Sequence, residues 1–288
     1  MQDKFSFQNG RAPRSLFRIF NVVIMVVLVI LMMIPIVKVL SDSMDRSTTY
    51  GLNFWPKNFS MVAYQSIFTN QSLFLPLIVS FITTIGGTFI GLSLTTLGAY
   101  VLRKRDLVGR GFFAMFIFVT MIFSGGLIPT FLVLKGIGIT NTLWAVTLPT
   151  ALNVFNLVLM RNFFEQVPQS LFESAEIDGA SPFTLFWVIV LPLSKAALAS
   201  IGLFFAVQYW NEFFPYVIYI SDTALYNFQI KLRELVLSDQ NLTDPSLIGF
   251  GNTVKNAAVV VAMLPFFILY PFVQRYFTAG VTMGAVKE

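Results

Sequence analysis

The sequence predicts an all-α, polytopic membrane protein with six spanning helices, and three observations predict it. Hydrophobic residues make up 56% of the 288 positions and charged residues only 11%, whereas soluble domains carry roughly 25% charged residues. Six apolar runs, charge-free except for Glu212 in the fifth, follow one another: Ile19–Val37, Leu73–Leu102, Phe112–Leu134, Leu143–Met160, Ala196–Ile220 and Asn256–Gln274. Each approaches or exceeds the roughly 20 residues that cross a bilayer. Lysine and arginine then set the orientation. With the N-terminus inside, twelve of the 19 fall on the inner side, led by Arg103-Lys104-Arg105 directly after an apolar run. Both termini are therefore expected in the cytoplasm.

Composition also excludes chemistry. The chain has neither cysteine nor histidine, so disulfides, Cys/His metal centres and Ser-His or Cys-His catalytic pairs are ruled out. No catalytic or metal-binding residues are expected. The net charge of +5 follows from the basic inner segments and does not call for a nucleic-acid partner.

Taken in order, residues 1–18 form a basic cytoplasmic tail, and the first apolar run is too long for a cleavable signal. The loop Ser41–Ser72 holds Phe54, Trp55, Phe59 and Tyr64, which suit the aromatic belt of a membrane interface. Gly86, Gly87, Gly91 and Gly98 mark a thin face on the second run, suited to close helix packing. Asn70-Gln71-Ser72 and Asn241-Leu242-Thr243 match glycosylation sequons but carry no weight in a bacterial-type membrane protein. Gly125, Gly126 and Pro129 are expected to break the third run. Arg161, after the fourth, is expected to hold a helix C-terminus by charge–dipole attraction. In the fifth run Glu212 is the clear intramembrane carboxylate. With Gln208 and Asn211 it is either a lining of a translocation path or a structural partner between helices. Interfacial anchoring explains Tyr209 and Trp210 as well as stacking on a sugar would. In the external segment 221–253, Lys231–Leu237 has the charge and spacing of a short surface helix.

One polar island stands apart, from Phe172-Glu173-Ser174-Ala175-Glu176-Ile177-Asp178-Gly179-Ala180-Ser181-Pro182 to Ile189-Val190-Leu191-Pro192. Ser170 and Glu173 have capping-box spacing. Asp178-Gly179 reads as a turn that ends the helix, and Ser181-Pro182 as the start of another. Local chemistry allows a polar loop in which Glu173 merely caps a helix. Glu173-Ser174-Ala175, Gly179 and Ile189-Val190-Leu191-Pro192, at these separations, resemble the EAA loop of ABC-importer permeases, with serine at 174 where alanine is usual. Further stretches resemble the carbohydrate-importer branch. These are Gly98–Arg103, the run Phe123–Thr130 associated with complex oligosaccharides, Arg161–Pro168, Trp210-Asn211-Glu212-Phe213, and Gly284-Ala285-Val286-Lys287 near the end, followed by Glu288 where glycine is usual.

The resemblance implies a type I ABC-importer permease fold in a bacterial cytoplasmic membrane, with a transmembrane domain over 19–277 and a cytoplasmic tail over 278–288. It implies that the coupling loop 165–192 docks on a separate ATPase through Glu173, Ser174, Ala175, Asp178, Gly179, Ala180, Ile189, Leu191 and Pro192, and that Gly284 and Lys287 reach the ATPases. The implied partners are a second, homologous permease, two ATPase subunits and an extracytoplasmic solute-binding protein delivering an oligosaccharide. Ser124-Gly125-Gly126 lies among apolar runs, and nothing fits a phosphate-binding loop. No cofactor is therefore expected on this chain, with ATP and Mg²⁺ held by the partners. The alternatives are a permease for a non-sugar solute, a stand-alone secondary transporter and a membrane scaffold.

Overall fold

A computed structural model describes residues 12–46, 53–104, 106–123, 125–237 and 251–285. Most of the tail 1–18, Arg105, Ser124, the stretch 238–250 with its Asn241 sequon, Lys287 and Glu288 lie outside the described residues. Within them the chain is α-helical, with a single isolated β-bridge, Asp45 to Phe59, and no strand.

The helices are α1 Ala12–Ser43, α2 Val62–Thr69, α3 Gln71–Arg103, α4 Arg110–Ile122, α5 Leu127–Gly136, α6 Leu143–Thr147 and α7 Val154–Glu165. They continue with α8 Gln169–Ile177, α9 Pro182–Thr184, a π-helical turn Leu185–Val190, α10 Leu191–Leu193 and α11 Lys195–Trp210. The last are α12 Phe214–Tyr219, α13 Phe228–Leu237 and α14 Gly251–Ala285. Three stretches, Phe17–Ser43, Gln71–Arg103 and Gly251–Phe272, are long and apolar enough to cross a membrane alone. Counting the bent pairs α4/α5 and Pro182–Leu193/Lys195–Trp210 as single spans raises the number to five.

The expected run of six is modified by backbone breakers. The third run breaks as its glycines predict: α4 stops at Ile122, and Gly126 takes a φ of 82° before α5 begins. The fourth, Leu143–Met160, is two short helices. Pro149 has no N–H to continue the helical ladder, and Asn153 starts α7 afresh by accepting Asn156 N–H at 3.2 Å. The fifth run breaks after Trp210, and Pro215 opens α12 in the first turn, where proline fits. Asn70, the residue of the sequon motif, instead caps α3 through its side chain. The backbone of α14 runs through Gly284 to Ala285, where a separate tail had been expected to begin at 278.

Two compact units divide the chain: residues 1–66 with 242–260, and residues 67–241 with 261–288. In the first, α1 is about 48 Å long by its rise and exposes residues 17–35, an apolar surface suited to lipid. The segment after it is tied around Asp45. This buried carboxylate accepts Lys57 N–H at 2.9 Å and Asn58 N–H at 3.2 Å, while its backbone carbonyl accepts the Thr253 hydroxyl at 2.9 Å. Phe54, Trp55 and Phe59 are exposed, whereas Tyr64 is half-buried and shares a hydrogen bond with the Ser43 hydroxyl at 2.6 Å.

The second unit is organised on α3, which packs along α11 and α7. Glycines make that approach possible. A Cβ on Gly87 would lie 2.6 Å from the Tyr209 ring, and one on Gly91 2.8 Å from Phe205. Gly98 faces Leu157 more loosely, whereas Gly86 meets nothing within 4 Å. The thin face therefore holds at Gly87, Gly91 and Gly98, and Gly86 is not part of it. One core, with Ala99, Met160, Phe164, Phe172, Val190 and Phe205, joins α3, α7, α8, the π-helical turn and α11. Another, with Val79, Leu134, Val146, Tyr216, Tyr219 and Ile230, joins α3, α5, α6, α12 and α13.

Candidate functional site

The polar island forms the geometry expected of it, with one change at its start. α8 begins after Pro168, so Ser170 lies inside the helix and no side chain caps it. The capping box is absent: proline cannot donate, its extended ψ of 131° sets the first turn, and Pro168 C=O accepts Leu171 N–H at 3.2 Å. Glu173 is thereby left exposed in the helix interior with no bond to a described residue.

The end of α8 is closed by backbone bonds. Gly179 takes a φ of 81°, its N–H donates to Glu176 C=O at 3.0 Å, and Ala180 N–H donates to Ala175 C=O at 2.9 Å. This is the Schellman arrangement, in which glycine is favoured because a left-handed residue with a Cβ is strained. Ser181 then caps the next helix by accepting Thr184 N–H at 3.2 Å, with Pro182 at the first position.

Burial divides the nine island residues into two sets. Glu173, Ser174, Asp178 and Gly179 face outward, beside Ile177, which is 86% exposed. Ala175, Ala180, Ile189 and Leu191 are partly buried and pack against the core around Phe172 and Val190. Pro192 is exposed beside the bend of 82° between Pro182–Leu193 and α11. Four residues thus present a surface, and four hold it to the rest of the unit.

Residues to which the sequence assigned no contact with the island surround it. Phe172 is the one buried side chain of α8, and the Arg103 guanidinium lies 3.5 Å over its ring, a cation–π contact. Arg103 also donates to Gln169 at 3.2 Å, and Tyr100 OH donates to Pro182 C=O at 2.8 Å. Arg161 does not cap a helix end. It pairs with Glu165 one turn further along α7, at 2.9 Å, and Arg110 reaches the same carboxylate at 3.4 Å. A cavity of about 630 Å³ opens here, lined in part by Tyr100, Arg103, Lys104, Glu165, Gln169 and Glu176.

The proposed path residues sit at the broken end of α11. Gln208 and Glu212 are half-buried, and Asn211 is exposed with its amide donating to Val207 C=O at 2.9 Å. The Glu212 backbone carbonyl accepts the Asn227 amide. Nearby segments are clamped: Asn141 Oδ1 accepts Ser221 and Asp222 N–H, Ser80 accepts Phe228 N–H, and Tyr216 hydrogen-bonds Thr83. The expected helix Lys231–Leu237 is present within α13, with Lys231 and Glu234 paired at 2.7 Å. Tyr209 and Trp210 are neither interfacial nor open to a sugar. They are 1% and 2% exposed, with Tyr209 OH donating to Thr147 C=O at 2.9 Å and Trp210 Nε1–H to Ala262 C=O at 3.0 Å. Their polar atoms find backbone partners inside the unit, so their rings can be wholly buried.

The broken apolar helices, with a rigid polar helix–turn–helix set among them, form the architecture of a multi-span transport component. Residues 87–283 match the family described as "Binding-protein-dependent transport system inner membrane component", and the chain belongs to that family. It is 43% identical over 81% of its length to the Polygalacturonan/rhamnogalacturonan transport system permease protein YtcP of Bacillus subtilis (strain 168), covering 83% of that protein. It is 36% identical over the full length of both chains to Protein LplC of the same organism. A crystal structure of a bacterial ABC transporter involved in import of the acidic polysaccharide alginate contains a chain that superposes with a TM-score of 0.86. That chain is 29% identical, with 96% of this chain and 100% of that one covered. The type I ABC-importer permease fold implied by the EAA resemblance is therefore the fold of this protein.

Proposed function

We propose that this chain is one of two homologous permeases in an ATP-driven importer that takes up an oligosaccharide delivered by an extracytoplasmic binding protein. The observation that carries the reading is Glu173: an exposed carboxylate on a rigidly capped helix, without a bond among the described residues and next to exposed Ile177. A mixed acidic and apolar knob of this kind suits docking into a groove on a partner. In this reading both termini and α8 are cytoplasmic. Two ATPase subunits, carrying ATP and Mg²⁺, receive Glu173, Ser174, Asp178 and Gly179, and Gly284 and Lys287 lie near them. Closure of the ATPases displaces α8, and the permease pair opens its cavity outward. ATP hydrolysis drives the cycle, and the loaded binding protein triggers it by favouring one state over the other, the only way a ligand shifts such an equilibrium.

The relatives named for polygalacturonan and alginate make acidic oligosaccharides the first substrates to try. The test is a mild-detergent pull-down of the tagged chain with an ATPase assay. The assay is repeated with the binding protein and oligogalacturonate, alginate oligomers or neutral arabino-oligosaccharides. Recovery of an ATPase, with hydrolysis stimulated by one sugar class, supports the reading. A chain that purifies alone and transports in vesicles without ATP would instead be a secondary transporter.

Gln208, Asn211 and Glu212 are proposed to line the path. Glu212→Ala is expected to lower uptake severalfold while the ATPase still copurifies at the wild-type yield. Loss of the ATPase from the purified complex would assign Glu212 a structural role.

A further inference from the structure

We infer that Tyr100 and Arg103, in the last turn of α3, are the positioning residues through which movement of α8 reaches the membrane helices. This inference rests on the docking role proposed above. The island leaves the unit's cores by two routes. One runs along the chain, through α9, the π-helical turn Leu185–Val190 and α10 into α11. That route contains two soft points: a π turn, in which Leu191 N–H reaches back five residues to Phe186 C=O, and a bend of 82° near Ser194. Such register faults are common hinges in helices. A load on α8 is therefore partly absorbed before it reaches α11.

The other route is direct contact with α3. Arg103 holds α8 itself, by its guanidinium over Phe172 at 3.5 Å and its bond to Gln169 at 3.2 Å. Tyr100 holds the far side of the Gly179 turn, by its hydroxyl on Pro182 C=O at 2.8 Å and its ring 5.1 Å from Phe186. The two side chains stand three residues apart, on one face of α3. Together they grip the loop on both sides of its turn. α3 in turn is 33 residues of unbroken helix packed along α11 and α7, so a displacement of its end moves the whole element. Arg110 steadies that end, its Nε donating to Leu102 C=O at 2.9 Å.

The test uses the assembled complex with its ATPase, second permease and binding protein in proteoliposomes. The chain contains no cysteine, so Leu171→Cys on α8, outside the docking set, and Ile85→Cys on α3, both exposed, give a clean spin-label pair. With Tyr100 and Arg103 intact, the label distance is expected to stay constant when a non-hydrolysable ATP analogue is added, because α8 and α3 move together. In Tyr100→Phe/Arg103→Met the distance is expected to change with nucleotide. ATPase recovery stays at the wild-type level, and stimulation of hydrolysis by the binding protein falls. Tyr100→Phe alone removes one hydroxyl and is expected to reduce stimulation about fivefold, the factor a buried hydrogen bond is worth. Arg103→Lys, which keeps a cation over Phe172, is expected to retain more stimulation than Arg103→Met. A purely structural role would lower complex yield and leave the stimulation of the assembled fraction unchanged. A fixed label distance with wild-type stimulation in the double variant overturns the inference alone. A wild-type chain that recovers no ATPase overturns both this inference and the docking role.

Discussion

Gly179→Pro is expected to abolish uptake while the subunit still inserts in the membrane. Proline holds φ near −65°, whereas Gly179 sits at 81°. Proline also deletes the N–H that bonds Glu176 and disfavours the helical ψ of 2° at Asp178. The Schellman turn cannot form, α8 loses its fixed angle to α9, and the outward set of residues no longer meets a partner as a unit. Gly179→Ala is the graded companion. Nothing lies within 4 Å of its added Cβ, so its cost is the left-handed strain of about 1–2 kcal/mol, and measurable uptake should remain. Glu173→Lys separates shape from charge. The residue is exposed in a helix interior, so the fold is expected to survive while uptake and ATPase copurification are lost. Sugar uptake in a strain lacking the native subunit, with immunoblotting of membranes for insertion, checks all three. Uptake by Gly179→Pro at the wild-type rate would remove the turn from the coupling role.

The second large effect is expected at Gly87. One added methyl would stand 2.6 Å from the Tyr209 ring, and that ring cannot swing away. It is fully buried, and its hydroxyl is held on Thr147 C=O. Either α3 and α11 separate or the Tyr209 bond breaks, and overpacking of this kind costs about 1–3 kcal/mol. Gly87→Ala is expected to lower the thermal midpoint and the yield of the detergent-solubilised protein, and Gly87→Leu to prevent its recovery. Gly86→Ala, one position away and facing open space, is expected to leave both unchanged. Fluorescence-detected size-exclusion chromatography after heating distinguishes these outcomes. Equal behaviour of the two alanine variants would contradict the helix contact.

These two sites differ in how far they could be read beforehand. The Gly179 turn and the Ser181-Pro182 start depend on backbone preferences and bonds spanning five residues or fewer, so residue type and spacing suffice. The same holds for the break at Gly125-Gly126. The capping box failed for a reason equally local: Ser170 matched the pattern, but Pro168 two residues earlier had already set the helix start. Pro149 and Asn153 likewise divided a run that counting apolar residues treated as continuous.

The amino-acid sequence by itself determined that this is an all-helical membrane protein, where its backbone must turn, and which short stretch carries the polar chemistry. Only the tertiary structure decided which face of each helix is buried within the chain and which is left exposed. It distinguished Gly87 from Gly86, buried Tyr209 and Trp210, gave Arg161 to Glu165, and joined Tyr100 to Pro182 across 82 positions. The physical reason is the solvent. In water, apolar periodicity reveals the inward face of a helix because the outward face is polar. In a bilayer both faces are apolar, and helices associate by close packing and a few hydrogen bonds, whose partners appear only when distant segments are brought together.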